Sequence, residues 1–196
     1  MFTRSVRASR SEQVRVLPGD ELIPDPIAAL THAITIRCPM RDVWPWLAQM
    51  GAGSRAGWYS YDCFDNRLVP SAMHIIPGLQ QLAVGMVMPA LPDMTDSFTV
   101  LAYKPQQFLV IGWTDKDGPL MTWAFVLEET ADGATRLIVR ARGSRRYHFH
   151  RLPWWMAKRF VPFVHFIMQR KQLLGIAWRA ECAERLDPTS ARYPAH

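Results

Sequence analysis

Apolar and polar residues alternate over Thr31–Ile36, the period-2 pattern of a half-buried strand. The period then changes. Over Arg41–Met50, Val43, Trp44, Leu47 and Met50 fall on one face at helical spacing. Pro45 sits early in that helix, where its missing N–H costs least, and Gly51 and Gly53 end it. Gly57–Asn66 reads as a second short helix dense in aromatics: Trp58, Tyr59, Tyr61 and Phe64. Leu68–Leu91 is irregular, with a short strand expected at Val84–Met88.

Two hairpins follow. Ser97–Lys104 and Phe108–Trp113 turn across Pro105–Gln107; Met121–Glu128 and Thr135–Arg142 turn at Asp132–Gly133. Pairing Glu128 with Arg136 sets opposite charges across the second hairpin. That register puts Trp123, Phe125, Leu127, Leu137, Val139 and Ala141 on one strongly apolar face. Thr122, Ala124, Val126, Ile138, Arg140 and Arg142 take the other, wetter face, with Arg140 outward. Pro153–Leu186 is helical in pattern, and Pro162 is expected to kink or divide it. Its stripe is read as Phe163, Phe166, Ile167, Leu174, Ala177 and Cys182, broadened by Leu173 and Ile176.

These elements predict an α+β fold. A curved antiparallel β-sheet wraps on a long C-terminal α-helix, with two short helices after the first strand. A helix held off a curved sheet leaves a cavity between them. Residues 1–29, with Pro18, Pro24 and Pro26, read as an extended N-terminal arm, ordered late if at all; 30–187 as the domain; 188–196 as a disordered C-terminal tail.

Composition narrows the picture. At 196 residues and 49% hydrophobic, the chain suits one domain with a sizeable core. Eight Trp favour cavity walls or interfaces, because each ring brings large area and one N–H that wants a partner. The net charge of +6 permits anionic partners. Cys38, Cys63 and Cys182 make no CxxC or disulfide pattern and read as thiols in a reducing compartment. The basic N-terminus has no apolar run, and Phe160–Met168 falls short of the about 20 residues a bilayer requires, so a cytoplasmic location is expected. GxSxG, Walker A, GxGxxG and HExxH motifs are absent, and no cofactor is implied.

The element order resembles the START-like (SRPBCC, helix-grip) superfamily, which includes polyketide cyclases and lipid-transfer proteins. Ile34-Thr35-Ile36 with Val43-Trp44-Pro45-Trp46-Leu47-Ala48-Gln49-Met50-Gly51 is similar to the first strand and helix of a bacterial branch of it. So are Gly57-Trp58-Tyr59-Ser60-Tyr61-Asp62 and the hairpin of Thr122–Glu128 with Thr135–Arg140. The similarity covers roughly residues 30–186. It implies a cavity for a lipid, polyketide or other apolar molecule, and it implies no particular chemistry.

Candidate site residues follow from the aromatics and the few polar groups among them. Trp58, Tyr59 and Tyr61 stand at an expected cavity mouth, with Trp113, Trp123, Phe125, Val139, Phe163, Phe166 and Ile167 as further ligand-binding positions. The competing reading is a structural plug, with Asp62 capping a backbone N–H. Asp62, Tyr61 and His74 are the weak candidates for acid–base chemistry. Arg140 could hold a ligand carboxylate, though an outward Arg on the sheet surface fits the register better. His148 and His150 lack a third ligand, so no metal is expected. Arg145–Trp155 mixes basic and aromatic residues and suits weak contact with an anionic membrane; a solvated loop entering a packed helix is the simpler reading. No specific nucleic-acid partner is expected. The leading function is binding or transport of an apolar or aromatic small molecule, lipid-like molecules included, in an internal cavity. The alternative is a cyclase or dehydratase using acid/base residues in the same cavity.

Overall fold

The computed structural model describes residues 4–92, 97–146 and 154–186, the side chains of 154–161 and 183–186 excepted. A capping box starts the chain. Ser9 Oγ accepts from the Glu12 N–H and Glu12 Oε2 accepts from the Ser9 N–H, setting up α1 (Arg10–Val14). After a 3-10 turn at Asp20–Leu22 come β1 (Ala28–Ile36), α2 (Met40–Ala48) and the single turn α3 (Asp62–Asp65). Then come β2 (Val87–Pro89), β3 (Ser97–Lys104), β4 (Phe108–Asp115), β5 (Gly118–Glu129), β6 (Thr135–Gly143) and α4 (Trp154–Leu186).

The strands form one six-stranded antiparallel sheet in the order β1-β6-β5-β4-β3-β2. Glu128 pairs with Arg136, as the charge pairing predicts. The apolar set therefore shares one face: Trp123 opposite Ala141, Phe125 opposite Val139, Leu127 opposite Leu137. On that inner face the core closes against α2 and α4. Val43, Trp46 and Leu47 come from α2; Leu173, Ile176, Ala177 and Ala180 come from α4. Arg55 ends α2 by donating to the carbonyls of Ala48 and Met50, satisfying groups a helix C-terminus leaves open.

The outer face departs from expectation. Thr122, Ala124, Val126, Ile138 and Arg140 are buried, because the N-terminal arm lies across them. Ala8 and Leu17 pack on Ala33, Val126 and Ile138 as a second, smaller core. Arg140, expected outward in solvent, is 3% exposed. Its guanidinium ion-pairs with Asp20 and donates to the carbonyls of Glu12, Gln13 and Arg15 and to Thr31 Oγ1. Five donors in one planar fork tie down a segment with few regular hydrogen bonds of its own. The arm is thus ordered, and part of it is helical rather than extended. Pro162 does not divide the last helix either: α4 is continuous through it. An interior proline removes one donor, and here the flanking turns carry the helix past it.

Candidate functional site

Gly57 has φ 84° and Tyr59 φ 60°, both in the left-handed region. Two such residues interrupt a helical path, so the helix expected over Gly57–Asn66 shrinks to α3. The common face predicted for Trp58, Tyr61 and Asp62 goes with it. Asp62 accepts from the Ser71 N–H at 3.0 Å and from the Ser71 hydroxyl, tying both ends of this loop together. Tyr59 is buried, edge-on to Trp46 at 5.9 Å and beneath the Arg179 guanidinium at 4.7 Å. Gly175 lets α4 approach: a Cβ there would lie 2.3 Å from the Tyr59 carbonyl oxygen.

Between the sheet, this loop and α4 lies a cavity of about 260 Å³. Its aromatic wall is Trp58, Phe98, Trp113 and Trp123. Trp58 stacks on Trp123 with centroids 5.6 Å apart, and Phe98 lies parallel to Trp113 at 4.9 Å. Hydrogen bonds fix the rings. Trp58 Nε1 is shared between the carbonyls of Pro89 and Ala90, each at 3.2 Å. Trp123 Nε1 donates to Gln169 Oε1 at 3.0 Å, and Gln169 Nε2 donates to Gln172 Oε1 at 2.8 Å. Ser60, also in the lining, donates to the Met168 carbonyl at 3.2 Å.

Two lining groups lack such partners. Asp65 is 7% exposed, and neither carboxylate oxygen makes a hydrogen bond. Burial pushes its carboxyl up to about 6, and the Asp62 carboxylate pushes the same way. On α4, His165 Nε2 is buried and unpartnered. Burial drives that imidazole down to about 4, and His32, its ring 5.6 Å away, acts in the same direction. At neutral pH the cavity therefore holds a carboxylate and a neutral imidazole, with no Lys or Arg among its described lining residues.

Of the positions expected to bind ligand, Trp58, Trp113 and Trp123 line this cavity. Phe125 and Val139 are buried behind it, Phe125 against Trp123 at 5.0 Å. Phe163, Phe166 and Ile167 do not line it: they are exposed on α4. Tyr61 is also exposed, packed on Phe64, and His74 is exposed with its carbonyl accepting from Gln49 Nε2. Neither they nor Asp62 reach the cavity wall.

The inward line of α4 is His165, Gln169, Gln172, Ile176 and Ala180, with Met168 and Leu173 beside it. A search for apolar residues misses it, because its upper part is polar. The visible signal was the helical spacing of His165, Gln169 and Gln172 in register with Ile176. Asp65 carried no comparable signal; its burial depends on how the loop folds back.

Among the described residues, no group of three His, Cys, Asp or Glu could hold a metal. None of their helices is long and apolar enough to cross a membrane. His148 and His150 lie outside the described residues, as do most of the side chains of Arg145–Trp155. Arg145 pairs with Asp25, and Arg146 with Asp115, each at 2.9 Å.

A six-stranded antiparallel sheet gripping a long C-terminal helix, with short helices after the first strand, is a helix-grip architecture. No protein-family model and no curated protein matches the chain. Solved structures do resemble it. A protein of Mesorhizobium loti is 17% identical, matching 82% of this chain and 99% of its own with a TM-score of 0.48. One from Nitrosomonas europaea is 15% identical, with the same coverages and a TM-score of 0.49. A polyketide-cyclase-like protein of Corynebacterium glutamicum is 13% identical, covering 87% of this chain and 100% of its own, with a TM-score of 0.41. Likeness this distant says nothing of ligand or chemistry.

Proposed function

We propose that this protein binds a compact aromatic or apolar small molecule between its sheet and α4. One observation carries the reading: a cavity of about 260 Å³ is left open behind four aromatic rings. Protein interiors are close-packed, and an apolar hollow of this size forfeits contacts that a guest restores. It lies just under the about 300–1,000 Å³ usual for small-molecule sites, which favours a guest of one or two rings over a long lipid. Affinity comes from burying apolar area, at about 25 cal/mol per Å² before the costs of association. Transport of such a guest, as in carriers of this architecture, needs only the same binding.

Acid–base catalysis of the cyclase or dehydratase kind is the second reading. Asp65 and His165 support it, since both titratable groups line one cavity without structural partners. No ion pair joins them, so a substrate would have to lie between them. Turnover of a β-dicarbonyl compound that Asp65→Asn abolishes, with binding retained, is the result that favours this reading over a carrier.

The test of binding is calorimetric titration with naphthalene derivatives and 2-phenylethyl compounds. Wild-type protein is expected to bind at least one of them, and Met121→Trp, which fills the lining from β5, to bind none. Equal binding by both proteins would place the guest elsewhere.

A further inference from the structure

The polar end of the guest can be read from what the cavity leaves unsatisfied. The Trp58 and Trp123 N–H groups, the Ser60 hydroxyl and both glutamine amides are engaged with protein partners. Of the titratable groups in the described lining, the Asp65 carboxylate and His165 Nε2 make no hydrogen bond. A buried carboxylate without a hydrogen bond is costly to keep, and proteins normally pair or replace it. No described lining residue carries a cation to pair it: Asp62, one turn back, is itself an acid held by Ser71, and His165 on α4 is neutral. Arg179, whose guanidinium lies over the Tyr59 ring, donates instead to the carbonyls of Ser71, Ala72 and Gly175. The faces of indole and phenyl rings carry negative potential that attracts a cation. Carboxylate and aromatic walls therefore favour the same kind of guest.

Resting on the small-molecule reading above, we propose that the cavity selects a protonated primary amine carried on an aromatic ring, an arylalkylamine. Its ammonium group donates to Asp65 Oδ1 and Oδ2 and to His165 Nε2, and its ring lies against the indoles of Trp58 and Trp123. An ammonium has three N–H donors: two meet the Asp65 oxygens, and the third meets His165 Nε2 when the imidazole carries its proton on Nδ1. A ligand carboxylate, by contrast, would meet Asp65 with no cation to hold it.

The experiment compares three probes of nearly equal shape: 2-phenylethylamine, 2-phenylethanol and phenylacetate, titrated into wild-type protein at pH 7.5 by calorimetry. The amine is expected to bind at least tenfold tighter than the alcohol, and phenylacetate not measurably. The preference shrinks as pH falls from 7.5 to 5, because the Asp65 carboxyl, pushed up to about 6, takes up a proton. In Asp65→Asn the amine and alcohol are expected to bind within about twofold of each other. Alcohol binding equal to amine in wild type, or an amine preference that survives in Asp65→Asn, overturns the amine assignment and leaves the cavity reading standing. Failure of all three probes, together with naphthalene, overturns both. Should Asp65→Asn fail to fold, the wild-type probe series and its pH dependence decide alone.

Discussion

The two faces of the sheet treat buried charge in opposite ways. On the outer face, Glu12 is held down to about 2, first by its hydrogen bond from Arg136. Arg140 and Arg142 both reach Asp20 there, and Arg140 fills its fork with backbone carbonyls. Every one of those charges has a counter-charge or acceptor within the chain. On the inner side, Asp65 is equally buried and has none, and its carboxyl rises to about 6. Each outer charge meets an opposite charge within the chain, although Arg142 Nε is left without an acceptor; the Asp65 carboxylate meets none. Buried charge that the fold satisfies holds structure together, and buried charge that it leaves open marks where something else is to bind.

The contrast breaks most visibly at Arg140. Arg140→Ala leaves several arm carbonyls without their donor and Asp20 with Arg142 as its remaining counter-charge, and a loss of about 3–5 kcal/mol in urea unfolding is expected. Adding Asp20→Leu to Arg140→Met should recover little of that, because Arg142 then loses its counter-charge and the arm carbonyls still lack their donor. If the single change costs less than about 1 kcal/mol, the arm is not held by this network.

Asp65 should respond with the opposite sign. Its folded-state pKa stands above its ordinary 3.8, so its contribution is fully present below that value and is lost as pH rises through about 6. Asp65→Asn is therefore expected to stabilise the unliganded protein at pH 7.5, by on the order of 2–3 kcal/mol, while destroying amine selectivity. Destabilisation by the same change would mean that the carboxylate has a structural partner after all.

A pH series sharpens the comparison further. The His165 pKa is depressed to about 4, so its contribution is present above its ordinary 6.5 and is lost as pH falls toward 4. Across that window Asp65 opposes His165 and His32, both depressed by burial, and the wild-type melting temperature should fall only a little between pH 6.5 and 4. With Asp65→Asn the two histidines act unopposed, and the melting temperature should drop further across the same range. Parallel curves for the two proteins would contradict the assignment of both groups.

The smallest effect is expected on the outside of α4. Phe163 is 61% exposed. Phe163→Ser should change stability by no more than about 0.5 kcal/mol and leave 2-phenylethylamine binding unaltered. A clear loss of binding would return that side of the helix to the site.

Much of the fold was legible from residue order alone. The hairpin register followed from the Glu128–Arg136 pair, because one misplaced residue would have moved every apolar side chain to the wrong face. Strand alternation and cross-strand pairing act between near neighbours, and the chain records them directly. The aromatic wall was half legible. Aromatic density along the chain points to Trp58, Trp113 and Trp123, while Phe98 reads only as part of a strand.

What tertiary structure alone decided is where polar residues go inside. The loop from Gly57 passes through two left-handed residues, and that path carries Asp65 inward and fastens Asp62 to Ser71. The inward stripe of α4 was settled by the cavity it faces, which accepts His165, Gln169 and Gln172 where a packed core would demand leucines. The outer face became a second core only because the N-terminal arm lies on it, held by Arg140. Hydrophobic periodicity reports which residues avoid water on average. It is silent on a polar group buried for the sake of a partner from far along the chain, or from outside it.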